Sequence, residues 1–303
     1  MTMIGFVGPG IMGKPMAANL VAAGHEVRIY GRSASSRDRA QGTGGVVAAS
    51  VQDACAGADV VMTMLPDGPS VWKAVSAHDG ILAAMSPGAV LIDHSTIAPA
   101  DALELHRAAA AVGVRCLDAP VSGGESAAIE GTLSIMVGGD RSVFTEVKPV
   151  LNAMASTVIR VGEASAGQVV KAANQLMVAG HLQVLAEAIL FLRAHDADLD
   201  SALDVLSGGL AGSTVLTRKR AAMLTSTFTP GFRIALHNKD LGIVSGAARQ
   251  RGLALPAAGL MTTIMAALQA RGDQDLDHSA VYKLVSELNG GTVPADGKGD
   301  NNE

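Results

Sequence analysis

Three groups of residues in this 303-residue chain have types and spacings suited to chemistry. Gly8-Pro9-Gly10-Ile11-Met12-Gly13 follows a short apolar run and opens a helical pattern, the context that turns G-x-G-x-x-G into a phosphate-binding fingerprint. Glycine lets the backbone turn tightly and approach a pyrophosphate, and the helix N-terminus offers its N–H groups to the anion. Further on, Asp118-Ala119-Pro120-Val121-Ser122-Gly123-Gly124 sets a hydroxyl beside two glycine amides, a cradle for an anion. Finally, Lys171 and Asn174 share a helix face at i, i+3, with Val169, Val170, Ala172 and Ala173 around the lysine. A lysine of ordinary pKa, about 10.4, is protonated at neutral pH and can donate that proton as charge grows on a carbonyl oxygen.

The residues after the second apolar run indicate which dinucleotide is bound. An NAD site places a carboxylate about 20 residues beyond the glycines to bond the ribose hydroxyls. Here the chain reads Tyr30-Gly31-Arg32-Ser33, and a guanidinium fork with a hydroxyl suits a 2′-phosphate. NADP(H) is therefore the preferred cofactor, with NAD(H) possible. Gly8 and Gly13-Lys14 also have the spacing of a nucleoside-triphosphate loop, but Pro15 stands where that loop needs a hydroxyl for magnesium. Eight histidines without H-x-H or H-E-x-x-H spacing, and only Cys55 and Cys116, make no metal signature, so no metal is expected. No G-x-S-x-G marks a serine hydrolase.

Taken together these motifs resemble the β-hydroxyacid dehydrogenases, over residues 4–288. The likeness rests on the glycine loop with Lys14-Pro15-Met16-Ala17-Ala18-Asn19-Leu20, on Met64-Leu65-Pro66, on Asp93-His94-Ser95-Thr96, on residues 118–124, and on Lys171 with Asn174. It implies Leu65, Pro66, Thr96 and Lys239 at the cofactor, Ser122 and Gly123 at a substrate carboxylate, Lys171 as acid/base, and Asn174 beside it. Within the family, residues 123–125, 131–134, 208–216 and 230–233 look most like the tartronate semialdehyde reductase branch. That branch reduces a short aldehyde acid to a hydroxyacid with NADPH; 3-hydroxyisobutyrate oxidation is the alternative. Ser213 and Thr214 would bring hydroxyls toward the substrate. Two residues depart from the family pattern: Pro9 removes one loop donor, and Gln175 replaces a second asparagine. A catalytically silent NADP-binding module would not need Lys171, and imine reductases resemble this family with the lysine replaced.

These residues need a scaffold to position them. Hydrophobic residues make up 49% and aromatics 3% of the chain, so the core material is small and aliphatic, as suits parallel strands and close helix packing. Apolar runs at 3–7, 27–30, 46–48, 60–64, 90–93 and 114–117 alternate with helical stretches, which predicts a doubly wound parallel α/β sheet of Rossmann type. Runs at 132–137 and 157–161 extend it. Residues 164–195 read as one long helix leading into an all-α domain, with further helices at 201–207, 214–223, 233–250, 257–270 and 279–289. The expected domains are 1–162 for the cofactor, 163–289 for substrate and oligomerisation, and a disordered tail at 290–303. The long helix carries His181, Gln183 and Glu187, which argues against a membrane span. A net charge of −5 argues against nucleic acid as a partner. The expected protein is cytoplasmic, a homodimer or homotetramer, acting on a small semialdehyde or hydroxyacid.

Overall fold

The computed structural model describes residues 1–291, and the chain divides into two compact units, Met1–Lys171 and the residues from Ala172 on. The first unit is built on nine strands: β1 Met3–Val7, β2 Glu26–Tyr30, β3 Val46–Val47, β4 Val60–Thr63, β5 Val90–Asp93, β6 Arg115–Asp118, β7 Val121–Ser122, β8 Leu133–Gly139 and β9 Ala155–Gly162. Helices α1 Gly13–Ala22, α2 Ala34–Gln41, α3 Val51–Cys55, α4 Gly68–Ser76, α5 Ile81–Ala84 and α6 Pro99–Ala111 connect the first six strands. Those six run parallel in the order β3-β2-β1-β4-β5-β6, the doubly wound arrangement.

Two buried layers explain why the strand sequences are apolar at consecutive positions. Val60 and Met62 of β4, with Val90 and Ile92 of β5, face one layer with Met16 and Leu20 of α1. Val61 and Leu91 face the other with Val71, Val75 and Leu105. A strand covered on both faces gives a continuous apolar run.

The sheet departs from the all-parallel expectation beyond β6. Strands β6 and β7 both pair antiparallel with β8, which in turn pairs parallel with β9 after helix α8 Arg141–Leu151. The chain reverses after β7 through a short helix, α7 Gly124–Glu130, and so returns beside the strand it has just left. Strand β7 was absent from the sequence reading because it is two residues long and follows Pro120, a residue that normally argues against a strand.

Helix α9, Ala166–Ala194, runs without a break across the division between the units. By length and mean hydropathy, 1.5 over its most apolar window, it could cross a membrane. Its Ala179, Leu182, Leu185, Ala186 and Ile189 instead form one side of the second unit's core. The second unit continues with α10 Leu199–Gly208, α11 Thr214–Leu224, α12 Ile234–Gln250, α13 Pro256–Ala270 and α14 Val281–Leu288. The expected helix at 279–289 is split: a 3₁₀ turn at His278–Ala280 precedes α14. Asp277 caps that turn by accepting the Ser279 N–H. The expected tail lies, from residue 292, outside the described residues.

Candidate active site

The register of the parallel strands puts Tyr30, Val7, Thr63, Asp93 and Asp118 side by side in one row. These are the last residues of β2, β1, β4, β5 and β6. Each is followed within a few residues by a segment singled out in the sequence: Arg32-Ser33, the glycine loop, Leu65-Pro66, Thr96, and Ser122-Gly123-Gly124. Ligands of doubly wound sheets bind along such a row, outside the carboxyl ends of the strands.

The glycine loop has the shape of a phosphate cradle. Gly8 has φ +105°, and a Cβ there would lie 2.4 Å from the Met64 carbonyl oxygen; at Gly13 it would lie 2.1 Å from the Gly8 oxygen. A Cβ at Gly10 would meet nothing within 4 Å, so that face of the backbone is open to an approaching phosphate. The Gly8 N–H donates to Tyr30 O and the Gly10 N–H to Gly8 O, while Ile11, Met12 and Gly13 lead into α1. That helix has no side-chain cap and no acidic residue in its first turn, as suits an anion-binding N-terminus. Pro9 is buried, so the donor it lacks is not one a ligand would reach.

Beyond β2, Arg32 is exposed, and the Ser33 hydroxyl accepts the Ser36 N–H at 3.1 Å to cap α2. Ser33 thus has a structural duty that the sequence reading did not foresee. A cleft of about 470 Å³ runs along the outer flank of α1 and α7, touching the loop at Gly10 and Ile11. It does not include the row of strand ends.

Behind the row lies a buried hydrogen-bond web. Asp93 is fully buried; its Oδ1 accepts the Thr63 hydroxyl at 2.6 Å and the Ser95 N–H at 3.1 Å, and its Oδ2 has no hydrogen-bond partner among the described residues. Burial pushes its pKa up to about 6 in spite of those hydrogen bonds, and the nearby Asp118 charge adds to the rise. His94 is also fully buried, with Nδ1 2.7 Å from Ala119 O, and burial lowers its pKa to about 4. The neutral ring therefore donates its Nδ1 hydrogen to that carbonyl. The Ser95 hydroxyl accepts the Leu65 N–H at 2.9 Å, which joins the Leu65-Pro66 segment to the Thr96 segment.

Asp118 ties α9 to this web. Its Oδ1 accepts the Ser165 N–H at 2.8 Å and faces His106 Nε2 at 3.1 Å, and its Oδ2 accepts the Gln168 N–H at 3.0 Å. The carboxylate thus caps α9 from a distant strand, which helps hold Ser165 in the left-handed region at φ +74°. Lys171, 7% exposed, lies one turn beyond Gln168. Ser122 is half-buried on β7 opposite Ser134 of β8, and Gly123, at φ +134°, starts α7. Sequence reasoning gave no role to Asp93, Ser95, His106 or Gln168; the available signals were the motif at 93–96 and a polar Gln168 amid the apolar residues of α9.

Asn174 follows on α9, its amide donating to Gln175 Oε1 at 2.8 Å; Gln175 in turn donates to Asp240 Oδ2 at 2.6 Å. Lys239 of α12 lies in the second unit and forms an ion pair with Asp240 at 3.0 Å. Ser213, expected to face substrate, caps α11 by accepting the Leu216 N–H at 3.0 Å.

Residues 3–162 match the family model described as the NAD binding domain of 6-phosphogluconate dehydrogenase, and residues 165–285 match that described as NAD-binding of NADP-dependent 3-hydroxyisobutyrate dehydrogenase. The 2-hydroxy-3-oxopropionate reductase of Escherichia coli is 38% identical over 93% of this chain and 96% of its own length. The chain belongs to the β-hydroxyacid dehydrogenase family. Another β-hydroxyacid dehydrogenase, the 3-hydroxyisobutyrate dehydrogenase of Mycobacterium tuberculosis solved with L-serine, is 38% identical with a TM-score of 0.85, covering 94% of this chain and 99% of that one. The solved structure of Psf3 with NADP+ and 2-OPP is 27% identical with a TM-score of 0.86, covering 93% and 100%. As a β-hydroxyacid dehydrogenase, this protein is an NAD(P)-dependent oxidoreductase acting on CH–OH groups.

Proposed function

We propose that this β-hydroxyacid dehydrogenase reduces tartronate semialdehyde to glycerate with NADPH. The observation that carries the reading is the placement of Lys171, a buried lysine in the helix whose first turn is held at the end of β6 by Asp118. Lys171 gives its proton to the aldehyde oxygen as negative charge develops there. Ser122 and the Gly123 and Gly124 amides hold the substrate carboxylate, and Asn174 orients the substrate beside the lysine. Gly8, Gly10, Ile11, Met12 and Gly13 hold the pyrophosphate, Leu65, Pro66, Thr96 and Lys239 line the rest of the cofactor site, and Arg32 with Ser33 receives the 2′-phosphate. When bound, the cofactor supplies the hydride.

The substrate choice is supported by the Escherichia coli relative, with the 3-hydroxyisobutyrate branch as the competing reading on the Mycobacterium tuberculosis relative. The two semialdehydes differ by a hydroxyl against a methyl on the carbon between carboxylate and aldehyde. Polar partners for that hydroxyl would be left unpaired by the methyl compound, which costs far more than a misfit in an apolar pocket. Steady-state kinetics with NADPH on tartronate and methylmalonate semialdehydes is the test: kcat/KM is expected to be higher for tartronate semialdehyde, and equal or reversed values move the protein to the other branch.

The same reading includes a homodimer or homotetramer in the cytoplasm. Val170, Met177, Val184 and Phe191 are exposed at intervals of seven along α9, an apolar seam of the kind that packs against another helix. Light scattering on the purified protein is expected to give a multiple of 30.6 kDa. Cys55 and Cys116 are both buried and unpaired, as suits a reducing compartment.

A further inference from the structure

We propose that Gln168 is a positioning residue that clamps the Thr96 turn to the helix bearing Lys171, so that both keep one geometry through the reaction. The Gln168 side chain is 1% exposed and bonds on both sides of Thr96: Nε2 donates to the Ser95 carbonyl at 2.7 Å, and Oε1 accepts the Ile97 N–H at 3.1 Å. Its own backbone N–H donates to Asp118 Oδ2. One residue thus joins the ends of β5 and β6 to the first turn of α9, and Lys171 projects from the next turn.

The surroundings leave this clamp little room to shift. A Cβ at Gly167 would lie 2.4 Å from Met136 O and 2.8 Å from Asp118 Oδ2; at Gly138 it would lie 2.5 Å from Asp118 Oδ1. Only glycines at these two places let the helix start approach the strand so closely. The Thr96 turn is held on its other side as well, through the Ser95 N–H on Asp93 and the Ser95 hydroxyl on Leu65. An amide donates from one atom and accepts at another at any pH, which lets it bridge the two peptide groups that flank Thr96. A methionine fills a similar volume and does neither. A carboxyl does both only while it is protonated, because an ionised one sets a second acceptor against the Ser95 carbonyl.

The inference that the clamp serves catalysis rests on the proposed role of Lys171, so the test separates the two. In the full-length protein, hydrogen exchange of the segment 95–98 reads the clamp without any turnover. Gln168→Met is expected to speed exchange there by about tenfold or more, and unchanged exchange overturns the clamp. Where the parent protein reduces a short aldehyde acid, Gln168→Met is expected to lower kcat by about 10- to 100-fold, the range for displacement of a reacting group, with KM for the aldehyde changed less than about threefold. A kcat within twofold of the parent overturns the catalytic role.

Gln168→Glu supplies a readout that loss of folding alone does not give. Burial beside a carbonyl raises the pKa of the introduced carboxyl. Its kcat relative to the parent is therefore expected to rise several-fold as pH falls from 8 to 6, while the ratio for Gln168→Met stays flat; a flat ratio for both overturns the proposal. Circular dichroism at each pH confirms that the folded protein is being compared. A parent that reduces no short aldehyde acid would overturn the proposed function, and the exchange result would still decide the clamp.

Discussion

Each unit of this molecule buries several carboxylates, and one from each, Asp93 and Asp277, are treated in opposite ways. Asp93, in the first unit, accepts the Thr63 hydroxyl and the Ser95 N–H on one oxygen, and its other oxygen has no hydrogen-bond partner among the described residues. Asp277, in the second, has the Lys219 ammonium on both oxygens at 2.8 and 2.9 Å, the Gly231 and Phe232 N–H groups on Oδ2, and the Ser279 N–H and hydroxyl on Oδ1. Burial raises both pKa values. At Asp277 the charges of His278 and Lys219, with the hydrogen bonds, outweigh burial and hold the carboxyl well below its usual range. At Asp93 burial prevails. The second unit uses its carboxylate to secure the turn between α11 and α12. The first tolerates an unsatisfied one at the row of strand ends, where its hydrogen bonds place the loops proposed to meet the ligands.

The contrast can be broken from either side. Lys171→Ala should have the largest effect, a fall in kcat of at least about a hundredfold with NADPH affinity little changed. Near-normal turnover would remove Lys171 from the mechanism. Asp277→Ala should destabilise the protein by about 3 kcal/mol in urea unfolding, since it strands a half-buried lysine and several donors, while kcat of the folded fraction stays near that of the parent. A large kcat loss at full stability would show that the second network also serves the chemistry.

A smaller effect sharpens the comparison through pH. The folded-state pKa of Asp93, about 6, lies above its ordinary value of 3.8, so its contribution is fully present below pH 4 and is lost as pH rises through 6. Asp277 has the opposite sign: its contribution is present above the ordinary carboxylate range and is lost as pH falls below it. Asp93→Asn should therefore gain stability over the parent at pH 8, by about 1–2 kcal/mol, and little at pH 4. Melting curves at the two pH values check this; an equal change at both would mean that the Asp93 charge is not what burial penalises. The smallest expected effect is at Arg32, whose replacement by Ala should weaken NADPH by about tenfold and NADH hardly at all. Equal losses in the two dissociation constants would refute a 2′-phosphate contact.

The amino-acid sequence by itself determined the alternation of strands and helices up to β6, because strands buried on both faces must be apolar throughout and glycines mark where the chain turns. It also determined the glycine turn that leads from β1 into α1 and the i, i+3 spacing of Lys171 and Asn174 on α9, which depend on neighbours a few residues apart. It did not show the reversal at β7, where the pairing partner is β8 and the local signal is a proline. Nor did it show the web that joins Asp93, Ser95, Asp118 and Gln168, whose members stand up to 75 residues apart in the chain. Only the tertiary structure decided those contacts: the sheet register sets Thr63, Asp93 and Asp118 level with one another, and a hydrogen bond depends on that proximity in space, which local periodicity does not encode.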